Sequence, residues 1–202
     1  MKKTQLIIVA IIIAGLTAQS CEKLNTRIEG IGTITSSKLQ VDDFNSIELL
    51  GADDVFISYG TEQEVTVTGH PNIISRIQTD VSNGTWFIEL ERGSYGAYEL
   101  TYYITVPDLE EVRNIGSGNV SVSDPISVDQ MKVSILGSGS FFGFPLTASA
   151  CQVDIMGSGE CEVTVNNDLD VVIEGSGSVY YKGSPIIHED ISGSGRVVNA
   201  NQ

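Results

Sequence analysis

Val133-Ser134-Ile135-Leu136-Gly137-Ser138-Gly139-Ser140-Phe141 is the stretch that decides the fold. Val133 and Ile135 stand at alternate positions, the period of a β-strand with one apolar face. Gly-Ser-Gly then interrupts the strand, and Phe141 resumes an apolar face beyond it. The same unit returns as Gly116-Ser117-Gly118, Gly157-Ser158-Gly159, Gly175-Ser176-Gly177 and Gly193-Ser194-Gly195. The first glycines stand at 116, 137, 157, 175 and 193, so the spacings are 21, 20, 18 and 18. A nearly fixed period of this length marks a solenoid.

The residues flanking each corner repeat too. Two positions before the first glycine stand Ile135, Ile155, Ile173 and Ile191. Four before it stand Val112, Val133, Val153 and Val171, and four after it Val120, Phe141, Cys161, Val179 and Val197. Strands on both sides of the corner therefore point apolar groups at one interior. Glycine supplies the sharp bend and lets coils approach closely. Serine is expected to hydrogen-bond to the backbone in the bend. One coil cannot bury its apolar face alone; stacked coils can. Weaker copies of the pattern lie upstream. Ile28 to Ile34, with Gly30 and Gly32, matches Ile173 to Val179. Ile47-Glu48-Leu49-Leu50-Gly51 followed by Val55 matches the opening stretch. From Gly51 to Gly116 the distance predicts roughly three further periods with the corner signal lost.

Length and charge set the outer bounds. The 202 residues suit one domain, and the formal net charge of -15 makes nucleic acid and anionic lipid surfaces poor partners. Acidity of this kind serves solubility first. Residues 1–20 read as an export signal: Lys2 and Lys3, then an apolar run from Leu6 to Leu16 too short to span a membrane, then Ala18-Gln19-Ser20 before Cys21. This resembles a bacterial lipoprotein signal, with Ala18 where Leu is usual. In that reading Cys21 becomes the first mature residue and carries the lipid; the alternative is an ordinary secretory peptide. Residues 21–27 form a tether, and 28–202 a single β domain without a Pro/Ser-rich linker. Within it, 28–111 read as irregular coils and hairpins, and 112–202 as regular coils. Residues 72–78 carry Ile73, Ile74 and Ile77 at helical spacing, and Asn83-Gly84 marks a tight turn.

The Gly-Ser-Gly ladder, the segment Phe44-Asn45-Ser46-Ile47-Glu48 with Gly51 and Val55, and the lipoprotein-like signal together resemble the auto-transporter adhesin head (GIN) domain family of Bacteroidetes-type lipoproteins. The resemblance spans about residues 30 to 200. It implies a fold like a right-handed parallel β-helix, here with coils of about 18–21 residues, and an adhesin-like role. It brings no catalytic residues.

The search for chemistry leaves a face rather than a motif. His70 and His188 lack partner motifs, and Gly-Ser-Gly is not a nucleophile elbow. Cys151 and Cys161 form no metal pattern; a disulfide between them is open, and Cys161 sits in an inward column. Asp42-Asp43 and Asp53-Asp54 read as exposed loop carboxylates without calcium-loop spacing. Tyr95 and Tyr98, in a glycine-containing loop, are candidates for recognition, whereas Tyr102 alternates with Leu100 and Ile104 as core. Three and five positions before each corner stand Arg113/Glu111, Ser134/Lys132, Asp154/Gln152, Val172/Asp170 and Asp190/His188. Stacking places them in one polar stripe. Lys132, Asp154, Asp170, His188 and Asp190 are its candidate ligand residues. Asp154 and Asp170 also fit, diagonally, the carboxylate spacing of a glycan-processing enzyme.

The reading is an all-β envelope lipoprotein, anchored by lipid and expected at the outer membrane. Its expected role is non-enzymatic contact with protein or glycan, without metal or cofactor. A glycan-processing enzyme is the alternative. Little chain follows the last corner, so the C-terminal end is expected to be covered by a second copy or a partner. The alternative there is a tail that folds back through Asn199 and Asn201.

Overall fold

A computed structural model describes residues 27–201. The export segment and Cys21 lie outside the described residues. The body is almost entirely β, and its strands join one curled 15-stranded sheet.

Each corner separates a leading strand from a trailing strand. β1 (Thr35–Leu39) precedes the first such pair, β2 (Ser46–Gly51) and β3 (Asp54–Tyr59). An excursion follows through β4 (Glu64–Gly69), a single helical turn α1 (Pro71–Ile74), β5 (Val81–Ser82), β6 (Thr85–Ile88) and β7 (Leu100–Val106). Regular winding then begins with β8 (Glu111–Gly116) and β9 (Asn119–Val122). It continues through β10 (Ile126–Gly137), β11 (Ser140–Gly157) and β12 (Glu160–Gly175), and ends with β13 (Ser178–Gly183), β14 (Ile186–Gly193) and β15 (Arg196–Asn199).

Parallel pairing stacks these elements into two faces. The leading face runs β6, β2, β8, β10, the second half of β11, the second half of β12, β14. The trailing face runs β7, β3, β9, the first half of β11, the first half of β12, β13, β15. On the side away from the corners, register shifts between Phe142 and Thr147 and between Ala148 and Ala150 let β11 bend from one face to the other.

The predicted columns are the core. Ile47, Val112, Val133, Val153 and Val171 form one, and Val55, Val120, Phe141, Cys161 and Val179 another; every member is at most 2% exposed. The column two before the corner reads Leu49, Asn114, Ile135, Ile155, Ile173. Asn114 is its one polar member. Its Nδ2 donates to the carbonyls of Gly118 at 2.7 Å and Ser140 at 3.3 Å, while its Oδ1 is buried without a partner among the described residues.

At the corners the first glycine is obligatory for two reasons. Gly116, Gly137, Gly157, Gly175 and Gly193 hold φ between 124° and 144°. A Cβ on any of them would also collide with the carbonyl oxygen of the corner glycine one level below. That close approach carries a ladder. Ser138 N–H donates to Gly116 at 3.0 Å, Ser158 to Gly137 at 2.9 Å, Ser176 to Gly157 at 2.8 Å and Ser194 to Gly175 at 2.8 Å. Serine thus contributes its main-chain N–H, not the expected hydroxyl, and the side chains of Ser117, Ser138, Ser158, Ser176 and Ser194 face water.

Two upstream expectations are corrected. Three further periods are not stacked between Gly51 and Gly116: the two glycines are direct neighbours in register. The excursion between them instead places β6 and β7 on the other side of β2 and β3, so the second pair in sequence is the first level in space. Antiparallel β4 and β1 extend the trailing face beyond β7, and antiparallel β5 extends the leading face beyond β6, turning at Asn83-Gly84 with both φ values positive. The Gly30 trace is not a corner either. Residues 28–30 pair with the loop after β6, Ile28 N–H to Ser94 at 2.7 Å and Gly30 N–H to Ala97 at 2.9 Å. The predicted helical segment over 72–78 is shorter in the structure, Pro71–Ile74.

The C-terminal end carries polar groups at its edge. In the inward valine column of the leading face, the place opposite Val171 is taken by Glu189, which is exposed. A charge on an inward position of an edge strand discourages further pairing. Asn201 carries its carboxamide to Gly183, Nδ2 donating to the carbonyl at 2.7 Å and Oδ1 accepting from the N–H at 3.0 Å. One side chain thus replaces a missing peptide.

Candidate functional site

The polar stripe exists as the period predicts. Glu111, Lys132, Gln152, Asp170 and His188 are cross-strand neighbours in one column, and Glu48, Arg113, Ser134, Asp154, Val172 and Asp190 in the next. Both run up the outer side of the leading face, because they alternate with the buried valine and isoleucine columns. The basic residues are already engaged. Arg113 pairs with Glu48 on the level below, and Lys132 Nζ lies 3.3 Å from Glu111. Asp154 accepts from Gln152 Nε2 at 2.9 Å.

Asp154 and Asp170 are diagonal neighbours on adjacent strands, two residues apart in register. Asp170 lines a groove of about 900 Å³ with Asp108, Glu110, Asp129 and Gln130, at the start of the leading strands. Asp154 lines a second groove of about 510 Å³ nearer the corners, with Leu136, Met156, Val172 and Glu174. Lys132 and Glu111 border both, whereas His188 and Asp190 border neither. Among the described residues, no group of three or more His, Cys, Asp or Glu is placed to hold a metal ion. The second groove has an apolar floor. Leu136, Met156 and Val172 are 37%, 55% and 39% exposed, an apolar strip between carboxylates.

A different environment lies beneath the first corner. Gly51-Ala52-Asp53 stacks on Gly116-Ser117-Gly118, so Asp53 occupies the place that glycine fills at every later corner. It is free to do so because the level below opens into the loop from Glu89 to Glu99 instead of a tight corner. Burial pushes the Asp53 carboxyl up to about 6; the Tyr98 hydroxyl opposes the shift, and Asp54 adds to it. Tyr98 in turn is pushed up to about 12, by burial and then by the Asp53 charge. The Tyr95 hydroxyl donates to the Glu91 carbonyl at 2.7 Å, and its ring meets Tyr98 edge to face at 6.0 Å. Tyr102 is core, as expected, and its buried hydroxyl has no partner. A pocket of about 250 Å³ joins Asp53, Tyr95, Tyr98, Glu91 and Arg92.

The remaining candidates are structural. Cys151 and Cys161 are buried free thiols; burial pushes Cys151 up to about 12 and Cys161 well above its ordinary value. Neither is a thiolate at neutral pH. His70 accepts from the Glu99 N–H at 3.1 Å through Nδ1, so it braces the loop beneath the first corner.

One set of residues was missed. On the outer side of the trailing face, cross-strand register runs Tyr103, Phe56, Ser121, Phe142, Glu162, Tyr180, Val198. Phe56 and Tyr103 stack at 5.5 Å with 17° between their planes. The signal was present: from Phe56 onward, each of these residues lies five positions after the first glycine of its corner.

The comparisons bear on the fold. A family model described as "Putative auto-transporter adhesin, head GIN domain" matches residues 43–144 and 127–185. A solved "putative adhesin" from Bacteroides fragilis is 19% identical, with a TM-score of 0.58, covering 85% of this chain and 99% of that one. A "putative adhesin" from Parabacteroides merdae is 16% identical, with a TM-score of 0.48 over 86% of this chain and 99% of that one. A "putative lipid binding protein" from Parabacteroides distasonis is 20% identical, with a TM-score of 0.44 over 86% and 100%. No curated protein matches. On the extent of the family match, the chain belongs to the auto-transporter adhesin head GIN domain family.

Proposed function

We propose that the chain is a lipid-anchored protein of the cell envelope that works by contact. Its role is adhesin-like and non-enzymatic, and it presents the outer faces of a stiff solenoid to a protein or glycan. Family membership supports the adhesin-like role. The anchoring rests on the sequence of residues 1–21 with Cys21.

One observation carries the choice against catalysis. A glycan hydrolase or lyase on the leading face needs two carboxylates and a base converging on one bond. Asp154 is engaged by Gln152, and the nearby cations Arg113 and Lys132 are held by Glu48 and Glu111. The exposed side chains of Leu136, Met156 and Val172 suit contact instead.

The test is adherence together with turnover. Cells lacking the chain should attach less well to host-type matrix or glycan-coated surfaces, and re-expression should restore attachment. The purified chain should leave acidic and neutral polysaccharides uncut. Turnover that disappears in Asp154→Asn or Asp170→Asn would overturn the non-enzymatic reading, and unchanged attachment would overturn the adhesin-like one.

A further inference from the structure

We propose that the outer side of the trailing face binds an extended β-1,4-linked polysaccharide lying along the solenoid axis. Phe142 and Tyr180 are its platforms, and the stacked Phe56–Tyr103 pair stands at its lower end. This inference names a ligand class for the contact role above and rests on that reading, but it places the ligand on a face that the polar stripe does not occupy.

The carrying observation is spacing. Phe56, Phe142 and Tyr180 stand in one outward column, with Ser121 and Glu162 at the intervening levels. Neighbouring strands lie about 4.8 Å apart, so successive aromatic residues recur about every 9.6 Å. That matches closely the advance of two sugar rings along an extended β-1,4-linked chain. Such a chain is a flat ribbon. Its pyranose rings carry equatorial hydroxyls at the rim and axial C–H groups on the faces. The C–H groups are apolar and slightly positive, which suits the negative face of an aromatic ring. A helical α-linked glucan has no such flat repeat and should not follow the column.

The surroundings fit the same ligand. A rim of hydroxyls needs donors and acceptors beside the platforms. Ser121 and Glu162 supply them within the column, and Arg196, which donates to the Tyr180 hydroxyl at 3.2 Å, supplies them beside it. Burial pushes the Glu162 carboxyl up, with Lys182 opposing and Glu160 reinforcing that shift. Tyr103 is 48% exposed and covers a face of the Phe56 ring at 5.5 Å, so Phe56 is not counted as a platform. Lys182 covers the Phe144 ring at 4.1 Å, so Phe144 is not counted as a platform. The pairing backbone beneath is continuous from β7 to β15, which holds the rings at fixed separations without cost at binding.

The experiment uses the full chain in detergent, with microcrystalline cellulose and chitin as insoluble probes and amylose as the α-linked control. Retention on at least one β-linked probe, and little on amylose, is expected. Phe142→Ala and Tyr180→Ala should each weaken retention about tenfold, the loss of one stacking contact. Ser138→Ala, at a corner with its side chain in water, should leave it unchanged. Melting temperatures verify folding; if Phe142→Ala does not fold, Tyr180→Ala, one level from the end of the column, carries the test. Absence of retention on both β-linked probes, equal retention on amylose, or unchanged retention in a folded platform variant would overturn the proposal. Failure here with attachment of cells intact would leave the adhesin-like reading standing and remove only this ligand.

Discussion

Gly116 stacks directly on Gly51, in register, although the chain has left the solenoid and returned between them. The carbonyl of Gly51 accepts from Ser117 N–H at 2.9 Å and from Gly118 N–H at 3.2 Å. The corner ladder therefore runs unbroken from the first pair of strands to the last, and the excursion is threaded beneath it as a cap. Terminal levels of a solenoid need such covering.

The corner glycines should differ in sensitivity. Gly157→Ala forces a Cβ into the Gly137 carbonyl at a φ of 139°, and should cost more than about 3 kcal/mol. Gly51→Ala has the same kind of φ, 144°, but nothing nearer than Asp53 Oδ2 at 4.0 Å. It should cost only about 1–2 kcal/mol. Urea denaturation of the two variants checks this, and equal losses would contradict the close-stacking explanation.

Neighbouring residues on one strand should behave oppositely. Ile155 is 2% exposed, and Ile155→Asp buries an unpaired carboxyl at a cost of several kcal/mol, about 3 or more. Asp154→Ser faces out and should change stability by less than about 0.5 kcal/mol. Equal melting temperatures would refute the assignment of faces.

Asp53 should make the protein less stable as pH rises. Its carboxyl is about 6 in the folded chain against 3.8 ordinarily, so the folded state holds the extra proton. The associated stability is complete below pH 3.8 and is lost as pH rises through 6. Asp53→Asn, which stays neutral, should gain on the wild type by about 1–3 kcal/mol between pH 4 and pH 7. A difference that does not grow with pH would show that the carboxyl is not desolvated.

The end of the solenoid should depend on Asn201. Asn201→Ala frees both backbone groups of Gly183, which Asn201 now satisfies. Sedimentation should then show more self-association than in the wild type. Association of the wild type itself, abolished by Val197→Lys, would instead mean that a second copy covers this end.

Legibility followed the period. The columns through Ile155 and Cys161 and the stripe through Lys132 and Asp170 could be read because each level repeats the one before. The Gly51 level was legible as a coil, but its place was not. Sequence order counts residues along the chain, and nothing local shows that β6 and β7 slip beneath β2 and β3. The Gly30 trace misled because glycine also serves segments that pack closely over a side chain, here the His70 ring. Asn114 broke its column for want of a local signal, since its partners Gly118 and Ser140 are defined by the fold. The engagement of Asp154 by Gln152 needed side-chain positions, which register alone does not supply.

Release from intact cells is the most direct test of surface contact by an anchored body. Trypsin has sites at Lys23 and Arg27 in the tether, whereas the strands above are protected by continuous pairing. Trypsin applied to intact cells should release the folded domain into the medium while a periplasmic control protein stays inside. Retention of the domain on intact cells, with cleavage only after the outer membrane is opened, would contradict exposure at the surface and with it the adhesin-like role.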